Sequence, residues 1–170
     1  MKREQSLRKL AAKVLVLLVL DICIAAYAFS LFNMAFADGV DCWVMCNPGS
    51  YVNARSTPKK TAEIVGRYDC GDRMTTDGKE RAGYIHLIDC PFEVSEAWIS
   101  ARYVVYDRPE VGTFRAQITG KGRVAARRWI GGKRNCWLKP GQTVTVYVVS
   151  DEWCVTNRGF VQSEFVGVVE

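Results

Sequence analysis

The sequence predicts an all-β protein: two small β-barrels in tandem behind an N-terminal hydrophobic segment. Three observations lead there. From Asp38 onward the chain consists of short β-rich runs broken by turn residues, with no sustained 3.6-residue periodicity. The order of those runs is used twice. Residues 1–37 differ sharply in composition from everything after them. The 170 residues leave room for one ordinary domain or two small ones, and 49% hydrophobic with 24% charged side chains excludes a disordered chain.

At the N-terminus, Lys2, Arg3, Arg8, Lys9 and Lys13 stand against Glu4 alone, and an apolar run follows from Val14 to Ala37. A basic segment, an apolar segment and then small residues is the layout of an export signal, and Ala35-Phe36-Ala37 supplies the small-x-small pattern that a signal peptidase accepts. An uncleaved anchor is the alternative, because 24 residues of helix reach about 36 Å and a bilayer core is about 30 Å thick. On either reading the basic end stays inside and the remainder lies outside, secreted or in the cell envelope. Any membrane contact is expected through residues 14–37 only.

In the body, the first series of runs is Ser50 to Arg55, Glu63 to Tyr68, Arg73 to Asp77, Tyr84 to Asp89 and Ala97 to Ser100, with Asp77-Gly78 as a hairpin signal. The second is Val124 to Arg127, Cys136 to Leu138, Thr143 to Val149, Trp153 to Thr156 and Gly159 to Gln162. The two align. Val52-Asn53-Ala54-Arg55 matches Val124-Ala125-Ala126-Arg127, Cys70-Gly71-Asp72 matches Pro140-Gly141-Gln142, and Trp98 to Val104 matches Phe160 to Val166. About seven extra residues, around Asp89 to Glu96, precede the closing strand of the first copy. The expected division is therefore 1–37 signal or anchor, 38–106 first barrel, 107–112 linker and 113–170 second barrel. A unit of this size buries only about 60% of its unfolded surface, so each copy alone is marginal and packing of the two is expected to help.

The first copy, VNARSTPKKTAEIVGRYDCGDRM … AWISARYV, resembles the bacterial SH3 domains, whose pattern reads V-N-x-R-S-x-P … I-V-G-x-x-x-x-G-D … G-W-I-x-x-x-Y-V across about 55 residues. Ala97 stands in place of the usual glycine before the tryptophan. The second copy departs further, with Arg127-Arg128-Trp129 where Arg-Ser-x-Pro would be and Phe160 in place of the tryptophan. The resemblance implies an SH3-like five-stranded barrel for each copy. It also implies a ligand groove between the loop after the first strand and the hairpin loop, walled by aromatic rings.

Six cysteines follow the hydrophobic segment: Cys42, Cys46, Cys70, Cys90, Cys136 and Cys154. In an exported chain an even number suggests disulfides, with the first four pairing among themselves and Cys136 with Cys154. A four-thiolate zinc site at Cys42, Cys46, Cys70 and Cys90, or buried free thiols, are the alternatives. His86 is the lone histidine and lies in a strand run, Tyr84 to Ile88. A cysteine hydrolase needs a thiolate, a base in reach and a group orienting that base. Nothing in the spacing supplies all three, so no catalysis, no cofactor and no metal is expected. Gly131-Gly132-Lys133-Arg134 lacks the Ser or Thr and the upstream glycine of a phosphate loop.

What remains is aromatic and basic. Tyr51, Tyr84, Trp98 and Tyr103 with Arg55 in the first copy, and Trp129 and Trp153 with Arg127 and Arg128 in the second, are the candidate ligand-binding residues, with Trp137 and Phe165 as further rings. Trp129 is the foremost of them, since no core position is expected beside a Gly-rich loop. Residues 38–110 hold 9 basic and 12 acidic side chains, a net of −3, whereas residues 111–170 hold 9 and 4, a net of +5. The six basic residues between Lys121 and Arg134, with no acid among them, suit an anionic polymer or a peptide carboxylate. The expected function is a non-catalytic exported module that binds peptidoglycan or another anionic wall polymer. An envelope-protein partner is the alternative, and a wall hydrolase is disfavoured. Nucleic acid is not expected, because the aromatics are not laid out as a stacking series.

Overall fold

The computed structural model describes residues 39–168. The hydrophobic segment, and with it the choice between signal and anchor, lies outside the described residues. Among those residues no helix is long and apolar enough to cross a membrane.

Fourteen strands form two seven-stranded antiparallel sheets. The first sheet contains β1 (Val40–Val44), β2 (Tyr51–Arg55), β3 (Ile64–Asp69), β4 (Arg73–Arg81), β5 (Tyr84–Ile88), β6 (Ala97–Ser100) and β7 (Val104–Val105), in the order β3-β2-β6-β5-β4-β1-β7. The second contains β8 (Glu110–Ile118), β9 (Val124–Arg127), β10 (Arg134–Leu138), β11 (Thr143–Val149), β12 (Trp153–Thr156), β13 (Gly159–Gln162) and β14 (Val166–Val168), in the order β10-β9-β13-β12-β11-β8-β14. Adding seven to each label of the first order gives the second, so the repeat in sequence is a repeat in topology. In both, a 3-10 turn follows the closing strand, at Ala101–Tyr103 and at Ser163–Phe165.

Alternation explains how each sheet closes over its own core. On β2, Val52 and Ala54 point inward while Tyr51, Asn53 and Arg55 point out; on β9, Val124 and Ala126 are buried and Ala125 and Arg127 are not. The first core gathers Val44, Val52, Ala54, Tyr68, Met74, Leu87 and Ile99. The second gathers Ala116, Ile118, Val124, Leu138, Val144, Val146 and Val161.

Four strands were not among the runs expected from sequence: β1, β7, β8 and β14. β1 lies between β4 and β7, and the long β8 lies between β11 and β14. β8 begins at Glu110, so Glu110-Val111-Gly112, read as linker from its Pro/Gly/charge texture, is strand. Asp77-Gly78 is also not the hairpin turn. The β4–β5 turn is Ala82-Gly83, whose φ values of 53° and 74° are those of a two-residue hairpin loop. Asp77-Gly78 instead forms a β-bulge where the register jumps from Thr76↔Leu87 to Glu80↔Ile85. Thr76 Oγ1 holds the bulge, accepting from the Gly78 N–H at 3.0 Å and donating to the His86 carbonyl at 2.6 Å.

A third cluster joins the two sheets. Met45 and Val105 of the first copy bury against Val148, Trp153, Val155 and Phe160 of the second, flanked by Trp43, Tyr103, Ile130 and Tyr147. Polar ties reinforce it: the Ile130 N–H donates to the Arg102 carbonyl at 3.2 Å, and the Asp151 N–H to Asp107 Oδ2 at 2.7 Å. Met45 and Val148 are fully buried and Trp153 is 8% exposed, so this seam is as dry as either core. Trp153→Ala is expected to cost about 3–5 kcal/mol by emptying the seam. Urea unfolding followed by fluorescence of the remaining tryptophans measures it, with a lowered midpoint expected for the signal from both sheets.

Candidate binding groove

The outward face of β2 begins the groove. Tyr51, Asn53 and Arg55, joined by Tyr84 at the start of β5, Ser100 and Tyr103, wall a cavity of about 290 Å³, closed from the second copy by Arg128 and Phe160. Beside it lies a cavity of about 740 Å³, to which the first copy contributes Asn47 and Pro48 and the second Arg127, Arg128, Asn135, Tyr147, Thr156, Asn157, Arg158 and Phe160. Asn47, Arg128 and Phe160 line both cavities, so the two adjoin in one groove. On the other side, Tyr84 and Ser100 open into a cavity of about 600 Å³ lined by Pro58, Lys59, Lys60, Thr61, Ala82, Gly83, Arg102 and Ile130. This last stretch is the place the resemblance implies, between the loop after β2 and the β4–β5 turn. Its wall holds a single aromatic ring, Tyr84; the other rings line the junction between the copies.

Seven cationic side chains line the groove: Arg55, Lys59, Lys60, Arg102, Arg127, Arg128 and Arg158. Among the described residues no aspartate or glutamate does. Four of the seven come from the first copy, whose net charge is negative. The basic run Lys121 to Arg134, singled out in the sequence, supplies only Arg127 and Arg128.

Two of these arginines share a local task. Arg55 Nη1 donates to the Ala62 carbonyl at 2.6 Å, and Arg127 Nη1 to the Gly132 carbonyl at 2.8 Å. They occupy equivalent positions, Arg55 paired with Trp98 and Arg127 with Phe160. In each copy the guanidinium ties the loop that follows its strand, using one donor on that loop. Gly159 permits the close approach of β13 to β9 beside Arg127. Its φ is +115°, and a Cβ there would collide with the Arg127 carbonyl.

The sequence-predicted residues divide. Tyr51, Arg55, Tyr84, Tyr103, Arg127 and Arg128 come together on the groove. Trp98, Trp129 and Trp153 do not. The Trp98 ring lies 4.8 Å from the His86 ring. Trp129 is held beneath the Arg102 guanidinium, 4.5 Å from its ring centroid, and packs against Gly132, where any side chain would clash; it therefore belongs to the junction. Trp153 is in the seam. Trp137, 47% exposed on β10, stacks with Arg134, and Phe165 packs against the second core. Sequence reasoning missed Asn47, Asn157 and Arg158, which lie on loops, and Tyr147, which lies on β11, because these elements line one cavity only once the seam forms.

His86 is buried on β5 and walled by carboxylates: Nδ1 lies 3.0 Å from Asp77 Oδ2 and Nε2 3.6 Å from Glu96 Oε2. Burial works to raise the Asp77 carboxyl, but hydrogen bonds from Lys79 and His86 outweigh it and leave Asp77 below the ordinary range. Cysteine is absent from the ring's polar contacts.

The expected disulfides are not formed: all six described cysteines are free thiols. Cys136 and Cys154 sit on β10 and β12, which β9 and β13 separate in the sheet, and the Cys154 sulfur meets Ser163 Oγ at 3.4 Å instead. Cys42 is deep in the first core, and burial, with a contribution from Asp41, pushes its thiol up to about 12. Cys46 and Cys70 are in mutual contact. The Cys70 sulfur accepts the Cys46 N–H at 3.4 Å, and its thiol donates to the Cys46 carbonyl at 2.9 Å. A side-chain hydrogen bond from Cys46, opposed by burial, holds Cys70 below the usual thiol range, while the same bond and burial raise Cys46. Among the described residues no three His, Cys, Asp or Glu side chains gather to hold a metal.

No protein-family model matches the chain, and no curated protein matches it. The solved structures that are similar include NlpC1 and NlpC2 from Trichomonas vaginalis. NlpC1 aligns at 16% identity over 75% of this chain and 45% of its own, with a TM-score of 0.31. NlpC2 aligns at 14% identity over 77% and 48%, with a TM-score of 0.31. The chain spans less than half the length of each.

The thiol geometry sets an order of reactivity. Near neutral pH, Cys70 is expected to alkylate with iodoacetamide ahead of Cys42, Cys46, Cys90 and Cys154, its rate rising with pH as the thiolate forms and levelling off before theirs do. Cys42 is expected to be inert until the protein unfolds, and denatured but unreduced protein to show all six described thiols. Peptide mapping by mass spectrometry checks each point.

Proposed function

We propose that this protein is a non-catalytic binding module of the cell envelope that holds an extended anionic wall polymer, peptidoglycan first, along the groove between its two copies. The observation that carries the reading is the groove itself, seven cations long without a carboxylate. Its rings, Tyr51, Tyr84, Tyr103, Tyr147 and Phe160, come from both copies. Rings of this kind grip an extended chain at small entropic cost, because few torsions are frozen on binding. Charge of one sign along a concave surface raises the local concentration of a polyanion and speeds its capture. The bacterial SH3 resemblance of Val52 to Val104 supplies the ligand class, and export of the body to the outside of the membrane goes with it.

No step of chemistry is assigned to the groove. Its only thiol is Cys46, held up by Cys70 and burial, and no imidazole or carboxylate lines the groove beside it.

Retention of the full chain, kept in mild detergent, on purified cell-wall sacculi tests this reading. Wild-type protein is expected to sediment with sacculi, and Tyr84→Ala, which alters the ring shared by two of the three cavities, to reduce the retained fraction severalfold, as loss of a central aromatic contact does. Trp98→Ala is expected to leave retention unchanged, since that ring faces His86. The reading fails if wild-type protein shows no retention, or if the sacculi are cleaved.

A further inference from the structure

We propose that the largest cavity of the groove, about 740 Å³, is an oxyanion subsite assembled by both copies, which receives a carboxylate or phosphate group carried by the ligand. The proposal rests on the groove being a binding site and adds which end of it reads the ligand's chemistry.

Arg158 is the centre of the argument. It lies in the turn between β12 and β13, and three strands fix the backbone of that turn. Thr156 Oγ1 accepts the Arg158 N–H at 3.1 Å and donates to the Gly159 carbonyl at 2.8 Å. Asn135 Nδ2, from β10, donates to the Arg158 carbonyl at 3.0 Å. Asn157 Oδ1 accepts the Thr145 N–H of β11 at 3.2 Å, which leaves the amide nitrogen of Asn157 as the free donor end of that side chain. The turn is held before any ligand arrives, so little conformational entropy is lost there on binding.

Arg128 continues from β9 with its own N–H bonded to the Lys133 carbonyl at 3.0 Å. Neither Arg128 nor Arg158 forms an ion pair among the described residues, although ion pairs do form elsewhere, at Arg73–Asp41 and Lys79–Asp77. Arg127 stands alongside with one donor on Gly132 and the rest free. Three guanidinium forks thus line one cavity to which, among the described residues, no carboxylate contributes, a distribution complementary to an anion. The guanidinium is also the cation whose paired donors match the two oxygens of a carboxylate or phosphate. The opposite end of the groove carries Lys59 and Lys60, which act as point charges without that fit, and a single guanidinium, Arg102, which is stacked on the Trp129 ring. Asn47 and Pro48 close the cavity from the first copy, so the subsite is incomplete in either copy alone.

Fluorescence anisotropy of the full chain with labelled poly-L-glutamate, with labelled poly(glycerol phosphate) and with neutral dextran tests the subsite. Binding to one or both polyanions and not to dextran is expected, and the preferred polyanion identifies the oxyanion. Arg158→Ala and Arg128→Ala are each expected to weaken that binding about tenfold, the size of one lost charge-assisted hydrogen bond. Arg158→Lys is expected to recover only part of the loss, and Lys59→Ala to cost about threefold or less, as an exposed point charge does. Unchanged thermal midpoints in the variants show that the fold is intact. Arg158→Ala binding like wild type, or dextran binding like the polyanions, overturns the subsite. Sacculus retention that is indifferent to Arg158 sinks the subsite and spares the wall reading, whereas polyanion binding that depends on Arg158 without sacculus retention does the reverse.

Discussion

Met45, Val105, Val148, Trp153, Val155 and Phe160 bury against one another between the two sheets, and every surface feature described above takes its position from that contact. A barrel of this size buries too little of its own apolar surface to be comfortably stable, and the seam adds a third dry cluster to the two internal cores. Fully burying one such side chain contributes about 1.5–3 kcal/mol, so half a dozen of them outweigh most single polar contacts in the molecule. Because these are buried, interdigitated side chains and not a flexible tether, the copies hold one mutual geometry. The groove requires that: Asn47 of the first copy and Arg128 of the second wall the same cavity only while the seam is closed.

Within that frame the repeat has been kept and respecialised. Arg55 and Arg127 do the same work, each tying the loop that follows its strand. The residues opposite them have diverged. Trp98 faces Arg55 and packs against His86 on the first barrel, whereas Phe160 faces Arg127 and lies partly in the seam, with an edge on the groove. Phe at the repeat position carries no polar atom in its side chain and so needs no hydrogen-bond partner where it packs in the seam. Trp129, read from sequence as a free ring beside a glycine loop, lies under Arg102 of the other copy. Its loop makes contact between the copies, Ile130 bonding to the Arg102 carbonyl beside the Trp129 stack.

How much of this was legible in the chain follows from the range of the forces involved. Alternation on β2 and β9 is local, so the inward Val52 and Ala54 and the outward Arg55 could be read directly, and the duplicated order of runs gave the twofold topology. The strands that escaped are those fixed by pairing more than by local signature: β1 is held between β4 and β7, and β8 begins in a charged stretch and is fixed by pairing with β11. Asp77-Gly78 has the composition of a hairpin turn, yet the bulge wins there, because Asp77 is engaged by Lys79 and His86 and Thr76 Oγ1 bridges the irregularity. Trp153 shows the limit most clearly. An exposed ligand-binding tryptophan and a seam tryptophan have the same sequence context, and only the approach of the other copy separates them.

Charge gives the converse lesson. Summed over residues, the first copy is acidic, and by that measure it should repel a polyanion. Its carboxylates, however, are directed elsewhere: Asp41 to Arg73, Asp77 to Lys79 and His86, and Asp72 to the Asp69 N–H in the β3–β4 turn. Its Arg55, Lys59, Lys60 and Arg102 all face the groove. Screening at physiological salt limits exposed charges to a range of about 8 Å, so a ligand in the groove responds to the cations lining it far more than to acids on other faces. Net charge per copy therefore misjudges this surface, whose sign is set by where each side chain lies: Arg55 and Arg127 on outward strand faces, and Lys59, Lys60, Arg102, Arg128 and Arg158 on the loops and turns beside them. On β2 and β9 the alternation that buries Val52, Ala54, Val124 and Ala126 is also what turns Arg55 and Arg127 outward, so at these two positions core formation and charge placement are consequences of one pattern.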